Sequence, residues 1–98
     1  MHNKVMAFIN RFTLHGKLKD TISTFTQGCC YWFAYILHCR FSNSIIMYDP
    51  VINHFVVKIE DRLYDITGDV TGEYNVVRWS TYPDESEKKR IIRDCIKF

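Results

Sequence analysis

Two adjacent cysteines, Cys29 and Cys30, stand where the chain could use a thiol as a nucleophile. They lie in the segment QGCCYWFAYIL, directly after a glycine and directly before an apolar run. A helix N-terminus favours a thiolate over a thiol, because the aligned peptide dipoles place partial positive charge there. We therefore predict that one of these cysteines opens a helix as a nucleophile. The alternative is a buried structural thiol, since free cysteine is among the most buried residue types.

His54 and Asp65 follow in two neighbouring segments of strand-like composition, and they could complete the chemistry of a thiol. An imidazole takes the proton of the thiol, and a carboxylate holds that imidazole in one orientation and tautomer. If the two segments form a hairpin, we expect His54 and Asp65 to lie opposite each other near the same end, about 5 Å apart at Cβ. The alternatives are a strand-start histidine without a chemical role and an aspartate that only begins an Asx turn.

Helices must position the thiol, and the sequence contains three helical patterns. Apolar residues at helical spacing predict an amphipathic helix over residues 4–14, ended by Gly16. From Cys30 onward, apolar residues recur at i, i+3, i+4, i+7 and i+11, which predicts a buried helix of about three turns. The segment 82–98 has acids in its first turn and bases later, which predicts a third helix that begins near Asp84.

The middle of the chain has the composition of a small antiparallel sheet, with β-branched and aromatic runs separated by turns. The order of helices, sheet and helix predicts a single α+β domain over residues 1–98, with the cysteine-bearing helix packed on the sheet. The predicted strands are SIIMYDP (44–50), HFVVKIE (54–60), LYDIT (63–67) and YNVVRW (74–79), with a turn at EDR (60–62) and a loop at GDVTG (68–72).

The composition argues against several classes of function. The net charge is +2 and the basic residues are scattered, so we expect no nucleic-acid partner and no anionic membrane surface. The sequence contains no apolar run of about 18 residues, the length that would predict a membrane-spanning helix. The N-terminal residues do not have the pattern of a secretory signal. A cytoplasmic location with reduced thiols is therefore expected. The cysteines and histidines lack metal-ligand spacing, so we expect neither a metal nor another cofactor.

The segments GCCYWFAYIL, NHFVVKIEDRLYDITGD and RIIRDCI resemble a family of small phage and bacterial proteins of largely unassigned function. These proteins are similar in turn to the papain-like fold of NlpC/P60 peptidases and transglutaminase-like proteins. In that fold, a helix-opening cysteine precedes a strand histidine and a polar residue or aspartate on the next strand. The resemblance covers roughly residues 26–98. It implies a papain-like core with Cys30 as nucleophile, His54 as base and Asp65 as the orienting carboxylate.

Three further residues are weaker candidates for this site. Papain-like enzymes often use a glutamine before the cysteine as an oxyanion donor, but Gln27 precedes Cys30 by only three residues, unlike the spacing in papain. Cys29 is the competing nucleophile, because periodicity alone does not separate the two cysteines. Trp32, with the neighbouring tyrosines of the helix, is expected either in the core or along a substrate groove.

The resemblance implies a cysteine hydrolase or acyltransferase that acts on an amide, isopeptide or thioester bond of a protein or peptide substrate. The rival prediction is a catalytically inert papain-like binding module, such as a phage-encoded inhibitor of a host or defence protein in the host cytoplasm. Peptidoglycan cleavage is a third possibility, against which the lack of a signal and of a wall-binding module counts. One fold hosts many chemistries, so the substrate does not follow from the resemblance.

Overall fold

The computed structural model describes residues 1–14, 16–22 and 30–96 of the chain, with side chains through Arg93. The described residues form an α+β domain of helices and a five-stranded antiparallel sheet, so the predicted fold class is confirmed. The helices are α1 (His2–Phe12), α2 (Cys30–Arg40) and α3 (Glu85–Ile96), and the strands are β1 (Ser44–Asp49), β2 (His54–Ile59), β3 (Arg62–Asp65), β4 (Gly68–Asp69) and β5 (Val77–Arg78).

The sheet has the strand order β4-β3-β2-β1-β5, which places β2 at its centre. The alternation of β2 predicted two unlike faces, but the strand is buried on both. Phe55 and Val57 belong to the main core, and Val56, which points the other way, is also fully buried. On the second face, the ring of Tyr74, from the segment after β4, lies 5.0 Å from that of His54.

Helix α2 packs on the sheet through the predicted face, because its apolar residues recur at the helical period. Phe33 on this face meets Phe12 of α1 with ring centroids 5.3 Å apart. Helix α1 in turn approaches the sheet edge at Gly68, whose φ is +116° and where an added Cβ would lie 3.2 Å from Met6 Cε. The buried residues of α2 are Cys30, Phe33, Ala34 and Leu37.

Helix α3 begins where the sequence predicted. Asp84 caps it, since its Oδ1 accepts a hydrogen bond of 3.0 Å from the backbone N–H of Glu87. An aspartate at this position satisfies one of the backbone donors that a helix N-terminus leaves without an internal acceptor. Ile91 then anchors the helix in the core.

Several predicted boundaries are wrong by one to three residues. Strand β3 begins at Arg62, so the hairpin turn is formed by Glu60 and Asp61 alone. The strand predicted over 74–79 is reduced to β5, because the chain turns at Trp79 into a 3-10 helix that carries the indole into the core.

Helix α1 and the segment after β3 also differ from the prediction. The helix ends at Phe12, before Gly16, because the hydroxyl of Thr13 donates to the carbonyl of Ile9 and accepts from the Gly16 N–H. Two residues of the predicted loop GDVTG form the short strand β4, since Gly68 pairs with Asp65.

Candidate active site

The imidazole of His54 and the carboxylate of Asp65 form a buried hydrogen bond of 3.0 Å between Nε2 and Oδ2. The sequence predicts that the two residues lie directly opposite each other, and this prediction is wrong. Val57 pairs with Tyr64, so the next pair of the ladder sets Asp65 against Val56. His54 is two residues from Val56 and therefore points to the same face of the sheet. The two residues are therefore diagonal neighbours across the strand pair. Long side chains can bridge the distance between such neighbours.

Asp65 is fixed by Thr67 as well as by His54. Its Oδ1 accepts a 2.8 Å hydrogen bond from the backbone N–H of Thr67 and a second one from the Thr67 hydroxyl. The carboxylate thus forms the Asx turn that was the alternative for this residue, and it contacts the imidazole with its other oxygen. Burial raises the pKa of Asp65, but the hydrogen bonds from His54 and Thr67 outweigh burial and lower it, so the carboxylate stays ionised.

Cys30 is the second hydrogen-bond partner of the imidazole. It is the first residue of α2, it is buried, and its side chain is hydrogen-bonded to that of His54. Since Asp65 occupies Nε2, Nδ1 is the ring nitrogen left for the sulfur. The structure therefore joins Cys30, His54 and Asp65 in one hydrogen-bonded chain, with one side chain each from α2, β2 and β3.

The electrostatics of this chain favour a protonated imidazole. Burial lowers the pKa of His54, because a charged ring loses its hydration. The hydrogen bonds to Asp65 and Cys30, together with the negative charges of these two groups, outweigh burial and raise the pKa to about 9. At neutral pH, His54 is therefore an imidazolium between the sulfur of Cys30 and the carboxylate of Asp65.

Two residues near His54 were missed by the sequence reasoning. The half-buried ring of Tyr74 lies over the imidazole at 46° to its plane, and its pKa is raised by burial and by the charge of Asp65. Asp49, also buried, is the cross-strand partner of His54 and accepts a 3.0 Å hydrogen bond from the Val51 N–H. The hairpin pattern between the two strands could have indicated Asp49, whereas Tyr74 lies in a loop without any periodic signal.

The remaining predicted candidates are divided between core, surface and undescribed residues. Gln27 and Cys29 lie outside the described residues. Tyr31 packs into the core, with its ring 5.0 Å from that of Phe55. The prediction of a core position is wrong for Trp32 and Tyr35, which are 38% and 46% exposed. Both side chains can therefore contact another molecule.

Neither a cluster of metal ligands nor a membrane-spanning helix is found in the part of the chain that the structure describes. Across residues 1–14, 16–22 and 30–96, no group of three or more histidine, cysteine or acidic residues could hold a metal ion. No helix within the same ranges combines the length and the apolar character needed to cross a membrane. Among the described residues, Cys30 and Cys39 are free cysteines.

Comparison with known proteins gives one family. Residues 12–94 match the family described as Phage YunG-like protein. Because the match covers most of the 98 residues, the chain belongs to this family. No curated protein and no solved structure matches the chain. The match agrees with the resemblance to small phage proteins, while the link to papain-like enzymes remains a prediction.

Proposed function

We propose that this member of the phage YunG-like family is a cysteine hydrolase or acyltransferase, acting on an amide, isopeptide or thioester bond of a protein or peptide. The observation that supports the proposal is the hydrogen-bonded chain of Cys30, His54 and Asp65. Their exposed fractions are only 5%, 7% and 4%. Burying ionisable groups costs free energy, and groups with strongly shifted pKa values cluster at functional sites.

In the first half-reaction, the Cys30 thiolate, paired with the His54 imidazolium, attacks the carbonyl carbon of the scissile bond and forms a tetrahedral oxyanion. The backbone N–H groups at the N-terminus of α2 are suited to stabilise this negative charge. The His54 imidazolium then gives its proton to the leaving amine or thiol as the scissile bond breaks. The products are a thioester on Cys30 and a neutral imidazole.

In the second half-reaction, a water molecule attacks the thioester carbonyl while His54 takes one proton from it. The tetrahedral intermediate expels the Cys30 thiolate and releases a carboxylic acid, which restores the thiolate and the imidazolium. An amine in place of water gives acyl transfer. Asp65 keeps its charge throughout and orients the imidazole.

The first test is the pH dependence of Cys30 alkylation by iodoacetamide, measured in a Cys29→Ser background. Mass spectrometry after chymotryptic digestion separates Cys30 from Cys39, which serves as the control because it is an exposed thiol on the same helix. We expect Cys30 to react with an apparent pKa well below the ordinary thiol value of about 8.5, and to be alkylated faster than Cys39 at neutral pH. His54→Ala should raise the apparent pKa of Cys30, because the imidazolium that stabilises its thiolate is lost.

If the alkylation rate of Cys30 had the same pH profile in the unmodified protein and in His54→Ala, this result would contradict the proposal. Asp65→Asn is the second variant, because it nearly preserves the shape of the side chain. It should shift the Cys30 profile in the same direction as His54→Ala, since it lowers the proton affinity of His54. Circular dichroism of each variant shows whether the fold is retained.

A second candidate function, an inert module that occludes a host or defence protein in the host cytoplasm, is favoured by another observation. The exposed rings of Trp32 and Tyr35 lie 6.1 Å apart on α2. Aromatic side chains are enriched in the centres of protein interfaces. If the protein is such a module, Trp32→Ala should abolish the biological activity and Cys30→Ala should preserve it. The hydrolase proposal requires Cys30→Ala to abolish it.

A further inference from the structure

A groove of about 400 Å³ lies between α1 and the residues that follow α2, and basic side chains surround it. Helix α1 contributes Lys4 and Arg11, and Arg40 comes from the last turn of α2. Ala7 lies between these two cations on the same side of α1, because Lys4, Ala7 and Arg11 have the helical spacing i, i+3 and i+7. Its short side chain leaves room between two long ones. Ligand pockets in proteins typically have volumes of about 300–1,000 Å³, so this groove can hold a small molecule.

The groove is separate from the candidate active site. Arg40 ends the helix that Cys30 begins, and ten residues of α-helix span about 15 Å. Ile59, which also lines the groove, ends the strand that His54 begins. The two sites therefore lie toward opposite ends of the same helix and strand, so a ligand in the groove does not touch the thiol.

The three cations of the groove lack acidic partners in the described part of the chain. Lys4, Arg11 and Arg40 are exposed, and among the described residues no carboxylate lies within ion-pair distance of any of them. By contrast, Arg62 and Arg90 are each paired with an acid. The net charge of the chain is only +2, so three unneutralised charges around one groove concentrate positive potential there.

Other residues of the groove supply polar donors and an apolar floor. Ser42 and Asn43 bring a hydroxyl and an amide, and Phe41 and Ile59 are buried beneath them. The guanidinium of Arg40 lies 5.1 Å from the centre of the Phe41 ring, a cation–π contact that restricts its movement. The groove thus combines positive charge, hydrogen-bond donors and apolar surface.

We propose that this groove binds a small organic phosphate monoester. Lys4, Arg11 and Arg40 would hold the phosphate, and the organic part would rest on the apolar floor. A phosphate monoester carries a charge of about −1.5 to −2 near neutral pH, which matches three cations better than a single carboxylate does. Guanidinium groups also bind phosphate oxygens with two parallel hydrogen bonds. This inference does not depend on the proposed function.

Isothermal titration calorimetry tests the proposal with three probes: adenosine 5′-monophosphate, phenyl phosphate and inorganic phosphate, with adenosine as the uncharged control. The variant Arg11→Gln/Arg40→Gln removes two charges from the groove. The matched variant Lys19→Gln/Lys89→Gln removes two charges from exposed residues elsewhere. We expect saturable binding of at least one phosphate ester, with about a tenfold loss of affinity in the groove variant and less than about a twofold change in the matched variant.

Each other outcome overturns the proposal. Equal weakening in both double variants means that diffuse positive charge attracts the probes. Adenosine binding as tightly as its monophosphate means that the phosphate is not recognised. No saturable binding of any of the three phosphates removes the site altogether. Binding of a twelve-nucleotide single strand without binding of the small phosphates would indicate a nucleic-acid surface instead.

Discussion

The charge of His54 is the residue-scale property on which the candidate chemistry depends. A buried imidazole alone is driven toward its neutral form, and only its two hydrogen-bonded neighbours reverse this preference. With a pKa raised to about 9, the folded protein holds a proton that the unfolded chain releases near pH 6.5. This contribution to stability is therefore complete below about pH 6.5 and is lost as the pH rises through about 9.

The titration of His54 can be measured directly by NMR of its imidazole. We expect a pKa near 9 in the unmodified protein. Asp65→Asn and Cys30→Ala should each lower it, because each removes an interaction that raises the pKa while burial remains. Signals of residues far from the site are the control and should be the same in all three proteins. A His54 pKa near 6.5, or a pKa that neither substitution changes, would show that the hydrogen-bonded chain does not exist in solution.

At the scale of secondary-structure elements, the β2–β3 hairpin determines which residues meet. A slip of one residue in its register would send Asp65 to the opposite face of the sheet from His54. The two-residue turn sets this register, and Glu60 in that turn has a left-handed φ of +56°. A residue with a Cβ is strained in this conformation, whereas glycine adopts it readily.

Glu60→Gly should therefore stabilise the domain by about 0.5–1 kcal/mol, the difference between the relieved strain and the extra entropy of glycine in the unfolded chain. Asp61→Gly is the matched control. Asp61 is not among the residues with positive φ, so glycine there only adds entropy to the unfolded state and should destabilise. Urea denaturation of both variants gives the two free energies of unfolding. A loss of stability in Glu60→Gly would contradict the assignment of strain to this turn.

At the scale of the whole molecule, an aromatic cluster around Trp79 connects the elements that carry the candidate site. The indole lies 4.8 Å from the ring of Phe55, which directly follows His54, and 5.1 Å from the ring of Tyr48 in β1. Lys88 of α3 lies 5.0 Å over the same indole. A single buried side chain thus contacts the sheet and the C-terminal helix, and aromatic packing of this kind dominates the energetics of small cores.

Trp79→Ala should destabilise the domain by about 3–5 kcal/mol, because it removes a large buried side chain and leaves a cavity. Trp32→Ala is the matched control, because it is the same substitution at a residue on the surface of α2. It should change the free energy of unfolding by about 1 kcal/mol or less. Chemical denaturation followed by circular dichroism measures both. Similar losses in the two variants would mean that the buried cluster is not what holds the elements together.

The local structure and part of the site follow from patterns in the amino-acid sequence. Periodicity and turn residues depend on neighbours along the chain, so they indicated a helix that opens at Cys30, a cap at Asp84 and a hairpin that brings His54 near Asp65. Strand ends were less accurate. The Asx turn at Asp65 and the turn at Trp79 depend on side-chain contacts that a periodic pattern does not contain.

Which distant groups meet depends on the packing of the elements in three dimensions. The hydrogen bond between Cys30 and His54 joins residues 24 apart in sequence, and it depends on how α2 packs on the sheet. The same packing leaves Trp32 exposed, sets Tyr74 against the imidazole and gathers the cations of α1 and α2 around one groove. Such contacts arise from the simultaneous burial of several elements against one another, and no pattern confined to a single element specifies that arrangement.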